Sequence, residues 1–302
     1  MGRFLPAVLV VALLGGSAAA FAVTERLKLV RSPIWRTQVS KVVSPHAGRR
    51  AKIRFRLRSA DSVSLAIVDS RGRVVRALID SRHVRPGPKT FYWNGTRADG
   101  TAVPDGVYKP RVHLSGSHRT IVLPNAILVD TQLPRISLVR RNLTVVSPDG
   151  DKRHDYLKVF FRTSEPARAV LYARLRQVLK LKSFSADSLQ WGLRNGMPSR
   201  PGQYHLYLRA IDRAGNLGPP SPVFPLRVRY IDLAPKLIRA RAGGRIRAHV
   251  STDARAYVWR IGSRRGQLRT HRLSVAAGAP GRYRLVLAEH GHHAAATVVV
   301  TP

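Results

Sequence analysis

The side chains able to bind a metal or move a proton gather in two short stretches. Asp149, Asp151 and Asp155 crowd around His154, and His290, His292 and His293 follow Glu289. Closely spaced carboxylates suit a hard cation such as calcium, and imidazoles suit a transition metal. The acidic run lacks the ordered DxDxDG ligands and the closing glutamate of a calcium loop, so it reads as a polar turn at a strand start, with a linker calcium site as the alternative. Apart from Glu289 the histidine run has no acidic support, and it reads as an exposed hairpin tip. No Walker-type loop, nucleophile elbow or HExxH pattern occurs, and nothing spaces a serine and a histidine as a triad. The expectation is a protein that is not an enzyme and uses no cofactor and no metal.

Cysteine is absent, which removes disulfides, thiolate nucleophiles and cysteine-containing zinc sites. Each folded unit must therefore rest on its hydrophobic core. At 302 residues, 44% hydrophobic and 23% charged, the chain is globular in composition and long enough for two or three domains of roughly 100 residues. Its 53 basic residues against 16 acidic ones give a formal charge of +37. Such a surface attracts anionic polymers and acidic headgroups over a range that shortens as salt rises. A GC-rich coding bias that enriches Arg, Ala, Gly and Pro together explains the same excess, because the arginines are spread along the chain and form no basic tail.

Phe4 to Val23 is an uncharged, apolar run long enough to span a bilayer. Ala18 and Ala20 form an AxA arrangement in its small-residue half, which suits a cleavable signal. The apolar run continues through Val23, which favours an uncleaved anchor. Arg26, Lys28 and Arg31 follow it and outnumber Arg3, which by the positive-inside rule favours a cytoplasmic C-terminal side. The exported character of the rest of the chain is weighed above that flank, so the expected location is the cell membrane, single-pass, with everything beyond the anchor extracytoplasmic. A cleaved, secreted form is the alternative.

Beyond about residue 40 short alternating runs are separated by Gly, Pro, Asp and Asn, the pattern of an all-β protein. Ile53, Phe55 and Leu57 alternate with Lys52, Arg54, Arg56 and Arg58, placing apolar side chains on one strand face and arginines on the other. Val63, Leu65 and Ile67 continue the pattern, Asp69 to Gly72 makes a hairpin turn, and Val74 to Leu78 returns. Trp93, Asn94 and Gly95 then precede Asp99, Gly100, Pro104, Asp105, Gly106 and Tyr108. Gly100 and Gly106 supply turn conformations, Pro104 presets φ, and Trp93 and Tyr108 are core aromatics, the tyrosine hydroxyl returning to the backbone as in a tyrosine corner.

A looser second copy follows. Ser147 and Pro148 answer Ser44 and Pro45; Leu157, Val159 and Phe161 answer Ile53, Phe55 and Leu57; Trp191 and Gly192 answer Trp93 and Gly95; and Gly202 and Tyr204 answer Gly106 and Tyr108. A third, shorter segment repeats Gly281 and Tyr283, with strands expected at 245–250, 256–261, 273–276, 283–288 and 294–300. Trp259 falls too early for the matching tryptophan place.

At these residues the chain resembles the FlgD Ig-like domain family, whose usual run is a Trp and Gly, a Gly-rich turn, then PDGxY. The match is good from Ser44 to about Leu114, partial in the second copy, where Arg200, Pro201 and Gly202 replace the PDG turn, and slight in the third. The run Ala210, Asp212, Ala214, Gly215 and Asn216 is also similar to the closing strand and loop of other bacterial Ig-like or fibronectin-type repeats. The resemblance implies a β-sandwich used as a spacer or adhesion module on exported proteins. It does not imply hook capping, because no hook-assembly region is recognisable.

The expected architecture is therefore tandem immunoglobulin- or fibronectin-like sandwiches after one N-terminal transmembrane or signal helix. Its boundaries are 1–30 for the membrane segment and 31–132, 133–232 and 233–302 for three modules. The expected function is a structural spacer or binding scaffold of the cell envelope, its partners the membrane through Phe4 to Val23 and anionic envelope polymers or surface proteins. The alternatives are an electrostatic binder of those polymers and an accessory to an enzyme in another chain. Specific nucleic-acid reading is not expected, since no recognition helix is present. Asn94 with Thr96 and Asn142 with Thr144 are glycosylation sequons in form only.

Overall fold

The computed structural model of the chain describes residues 31–192 and 200–302, together with Leu14, Gly16 and Ser17. The apolar run Phe4 to Val23 otherwise lies outside the described residues. Among the described residues no helix is long and apolar enough to cross a membrane. The chain divides into two compact units, with the boundary between Thr131 and Gln132.

In the first unit the alternating runs become β1 (Ile34–Val39), β2 (Val42–Val43), β3 (Ala51–Leu57), β4 (Asp61–Val68), β5 (Val74–Val84), β6 (Gly87–Trp93), β7 (Gly106–Leu114), β8 (Arg119–Val122) and β9 (Ile127–Val129). Strands β1, β3 and β6 form one sheet, and β2, β9, β7, β4 and β5 form the other, with β8 added beside β7. Period-2 alternation sends one face of each sheet inward. Ile53, Phe55 and Trp93 from the small sheet meet Val63, Leu65, Val112 and Ile127 from the large one in a single buried cluster. This two-sheet core is an immunoglobulin-like sandwich.

Two local devices close that sandwich. The Trp93 indole donates to the Thr96 carbonyl at 2.9 Å and packs edge-on against Tyr108, ring centres 5.4 Å apart. The Tyr108 hydroxyl donates to the Pro104 carbonyl at 2.8 Å, just outside the Gly106 bend at φ +154°. Gly95, at φ +79°, lies so close to Pro45 that a Cβ there would stand 2.8 Å from the proline ring. The Pro45 and Trp-Gly features thus form one packed contact. Opposite, the buried Asp61 accepts N–H groups of Gly116 at 2.7 Å and Ser117 at 3.0 Å and the Ser117 hydroxyl at 2.5 Å, tying the start of β4 to the β7–β8 turn. Burial pushes its carboxyl up, but these donors outweigh that and hold it below the ordinary aspartate range.

The second unit holds two further sandwiches. The first comprises β10 (Ile136–Arg141), β11 (Val145–Val146), β12 (Tyr156–Thr163), β13 (Arg168–Ala173), β14 (Arg176–Lys180), β15 (Ser188–Gly192), β16 (Gly202–Ile211) and β17 (Phe224–Val228). The next comprises β18 (Asp232–Ala234), β19 (Leu237–Arg241), β20 (Arg245–Ser251), β21 (Tyr257–Ile261), β22 (Arg264–Leu268), β23 (Arg272–Ala276), β24 (Gly281–Glu289) and β25 (His292–Thr301). Their sheets run β10-β12-β15 with β11-β17-β16-β13-β14, and β18-β20-β23 with β19-β25-β24-β21-β22. Both repeat the first unit's plan, and each encloses its own hydrophobic cluster.

Register refines the internal repeat. Trp93 faces Ala51 across the small sheet, whereas Trp191 faces Leu157. Leu157, Val159 and Phe161 therefore correspond to Ala51, Ile53 and Phe55, two residues from the alignment made on hydrophobicity alone. A two-residue slip keeps every apolar side chain on the same face, so the pattern could not separate the two registers. In the third sandwich Val275, opposite Ile246, takes the tryptophan place. Trp259 lies on β21 in the other sheet, its indole against Gly266, where a Cβ would stand 2.7 Å from the ring nitrogen.

Removing the close approach and the corner should weaken the first sandwich by different amounts. Gly95→Ala is expected to cost about 2 kcal/mol or more through positive φ and the Pro45 contact, and Tyr108→Phe about 1 kcal/mol, both read by calorimetry. Asp61→Ala should cost about 2 kcal/mol by orphaning its donors. Because the folded pKa of Asp61 is depressed, its contribution is present above the ordinary aspartate pKa and is lost as pH falls through the folded value. An acid titration of stability in which wild type and Asp61→Ala run parallel would contradict this.

Candidate functional site

Two clusters stand out, one in each unit. On the first, the outer face of the small sheet carries Arg54, half-buried Arg56 and Arg58 from β3 and its end, opposite the apolar side chains that fill the core. β1 crosses beside them with Trp35 paired to Arg56. The guanidinium groups of Arg36, Arg56 and Arg58 lie 4.8, 5.0 and 5.3 Å from the Trp35 ring centre. A shallow hollow beside this stack is lined by Arg36, Gln38, Arg54 and Arg56. Cations held against a flat ring are fixed in orientation and keep their outward donors free for an anion. Sequence reasoning found the β3 arginines but not Trp35 or Arg36, since the cross-strand pairing that stacks them is not visible in either segment alone.

On the second unit the acidic run and the histidine run come together where the two sandwiches join. The loop from Ser147 to Asp155 is folded by its own carboxylates. Asp155 accepts the N–H groups of Gly150 at 2.8 Å and Lys152 at 2.7 Å, Asp151 that of Arg153 at 2.7 Å, and Asp149 that of Asp151 at 3.1 Å. The loop is set against the far sandwich through His154, whose Nδ1 lies 3.1 Å from Asp253, while the Tyr230 and His292 rings stack with centres 3.6 Å apart. Glu289, at the end of β24, is buried and takes the Thr252 hydroxyl. Burial and then the neighbouring Asp149 and Asp253 carboxylates push its carboxyl up to about 7, against the lowering effect of Thr252. Asp151 is raised for similar reasons, burial first. Burial lowers His292, which Asp149 partly offsets.

The three histidines do not form one cluster. His292 is half-buried under Tyr230, His293 is exposed on β25, and His290 sits in the hairpin turn beside Gly291. Of the three, His290 is the one whose ring nitrogen comes within ligand range of Asp149 and Glu289. No local signal could have joined Asp149 to Glu289, because the approach depends on how two sandwiches dock.

The remaining motif residues build structure. Trp93, Gly95, Gly100, Pro104, Asp105, Gly106 and Tyr108 shape the turn and corner of the first sandwich. There Gly100 N–H donates to the Arg97 carbonyl at 3.2 Å, and Asp105 accepts the Thr131 N–H at 2.9 Å. Trp191 is buried, and Gly202 with Tyr204 and Gly281 with Tyr283 repeat the corner. The tyrosine hydroxyls reach the Arg200 and Ala279 carbonyls at 2.9 and 3.0 Å. Both sequon asparagines accept from the backbone: Asn94 takes the Thr96 N–H at 3.3 Å together with its hydroxyl, and Asn142 takes the Lys158 N–H at 2.7 Å.

Fold and site together define an all-β protein of tandem immunoglobulin-like sandwiches. Residues 40–117, the greater part of the first sandwich, match the FlgD Ig-like domain family. Among characterised proteins, the basal-body rod modification protein FlgD of Salmonella typhimurium is 41% identical over 63 residues, 21% of this chain and 27% of that protein, and the Salmonella typhi protein gives the same values. The chain thus spans little more than a quarter of the relatives it matches. Solved structures with a similar course include one bearing on host cell surface retention of a 1.5-MDa bacterial ice-binding adhesin, at 13% identity and TM-score 0.30, covering 89% of this chain and 98% of that one. The titin I-band fragment I67-I69 is similar at 12% identity and TM-score 0.25, covering 90% of this chain and 99% of the fragment. At these values the likeness is one of sandwich architecture and carries nothing further.

Proposed function

We propose that the chain is a non-catalytic scaffold of the cell envelope, tethered by the Phe4 to Val23 segment, with its sandwiches presented outside the membrane. The observation that supports this most is the threefold recurrence of one two-sheet plan, each copy filled by its own core and closed by the same glycine-tyrosine corner. Such repetition spends the sequence on building spaced, rigid modules and leaves contacts to surface loops and faces. Cell fractionation with external protease, on a chain tagged at both ends, tests the reading. The C-terminal tag should be cut from intact cells while the protein stays with the membrane fraction. A protected C-terminal tag would reverse the orientation, and turnover in a hydrolase screen would sink the non-catalytic assignment.

A second reading rests on the Trp35 stack. In it the arginine face of the first sandwich binds anionic envelope polymers, because its guanidinium groups are oriented by the ring and by neighbouring strands. With heparin as a soluble polyanion, replacing Arg54, Arg56 and Arg58 by alanine should weaken binding at least tenfold at low salt, more than replacing three arginines on another sheet face. Equal losses, or binding that vanishes near physiological salt where the Debye length is about 8 Å, would reduce the charge to general background.

A further inference from the structure

Three carboxylates at the joint of the second unit keep oxygens that the protein leaves unsatisfied. Asp149 uses Oδ1 to accept the Asp151 N–H, and its Oδ2 is buried without a hydrogen-bond partner. Glu289 is 5% exposed; the Thr252 hydroxyl occupies Oε2, and Oε1 is buried without a partner. Asp253 is 8% exposed, gives Oδ2 to His154, and keeps Oδ1 buried and bare. These oxygens come from three separate segments: the loop after β11, the loop after β20 and the end of β24.

Ionised carboxylate oxygens only accept, so what joins the facing Asp149 and Glu289 oxygens is either a proton shared between them, for which the raised Glu289 carboxyl is suited, or a cation that displaces it. In a chain with 53 basic residues an arginine would be the ordinary answer. Yet among the described residues no Lys or Arg forms an ion pair with Asp149, Asp253 or Glu289, and the one basic side chain that reaches them is His154, its Nδ1 3.1 Å from Asp253. The oxygens are close enough to share an ion, as are those of Asp149, Asp151 and Asp155, but Glu289 is the most deeply buried of these carboxylates and keeps an unpartnered oxygen. One ligand atom each from Asp149, Glu289 and His290 lies within 4.8 Å of the others. Oxygens on opposite sides of a calcium ion stand about 4.6–5.2 Å apart, at 2.3–2.6 Å per bond.

We propose that this joint binds one divalent cation, held by Asp149 and Glu289 with His290 at the open rim, the buried Asp253 adding negative charge beside them. The hard oxygen donors favour Ca²⁺, and His290 would be recruited by a borderline ion such as Zn²⁺. Asp149, Asp151 and Asp155 also come within ligand distance of one another, but Asp151 and Asp155 are engaged by backbone N–H groups of their own loop. The site therefore spans two sandwiches. The bound ion would tie the Ser147–Asp155 loop to the β24–β25 hairpin, stiffening the joint.

The test uses the full chain in detergent, stripped by a chelator and titrated calorimetrically with CaCl2 and, in a separate arm, with ZnCl2, with thermal melts at each end point. One equivalent of either ion should bind and raise Tm, and Asp149→Asn and Glu289→Gln should each weaken that binding at least tenfold. In chelator Glu289→Gln should melt no lower than wild type, because it removes a like charge from a buried cluster, so its loss of binding is not a loss of fold. A zinc response that also disappears in His290→Ala supports the same site with the borderline ion. Absence of binding in wild type, or binding of both ions that survives both carboxylate variants, overturns the proposal. Because binding is measured on purified protein, this outcome is independent of where the chain resides or whether it acts as a scaffold.

Discussion

A glycine bent to φ +154°, followed two residues later by a tyrosine whose hydroxyl returns to the carbonyl four residues before it, is the constraint on which each sandwich depends. It occurs at Gly106, Gly202 and Gly281, where a side chain would have to enter a region of φ that only glycine occupies without strain. The strand that begins there, β7, β16 or β24, is central in its larger sheet and pairs on both sides. Fixing its entry fixes the register of two neighbours, and register decides which side chains face the core. With no cysteine to form a disulfide, the closure rests on non-covalent contacts such as this one. The hydroxyl contact also explains why tyrosine and not phenylalanine follows each glycine, although the ring itself is only a modest part of the core in the second and third copies.

Much of this was legible in sequence because β-structure writes itself with a period of two. Ile53, Phe55 and Leu57 are all buried and the arginines between them point away, and the turns at Asp69 and Asp99 close through the hydrogen bonds their residue types suggest. What escaped notice has physical reasons. β2 and β11 are two residues long, too short to show a period, yet both add a parallel edge to their sheets. In the last segment β18, β19 and β22 were not anticipated, and β22 in particular is arginine-rich with little apolar alternation. Trp259 stands too early in the sequence for the tryptophan place and lies in the other sheet; the fold asks there only for an apolar side chain opposite Ile246, and Val275 meets that need. Neither cluster with chemical potential was legible as a unit, since each is made by strands or modules distant in sequence.

The charge imbalance acquires a structural meaning once the few acids are located. Asp61, Asp69, Asp99, Asp105, Asp155 and Asp212 each accept backbone N–H groups in turns or loops, including the Gly215 and Asn216 donors that close the loop after β16. Carboxylates are the strongest acceptors the side-chain inventory offers for such groups, and charge-assisted bonds of this kind are worth roughly twice neutral ones. Acids are thus retained where the backbone needs them, while arginines coat the strand faces, where their long stems cover apolar surface and their heads stay in water. On that division of labour the joint between the second and third sandwiches is anomalous. Asp149 serves its loop with one oxygen and turns the other toward Glu289, and Glu289 answers no backbone donor. Among the described residues none of these facing oxygens is paired with an arginine, so the two carboxyls can stay together only by sharing a proton, which the raised Glu289 carboxyl allows, or by taking up a cation from outside.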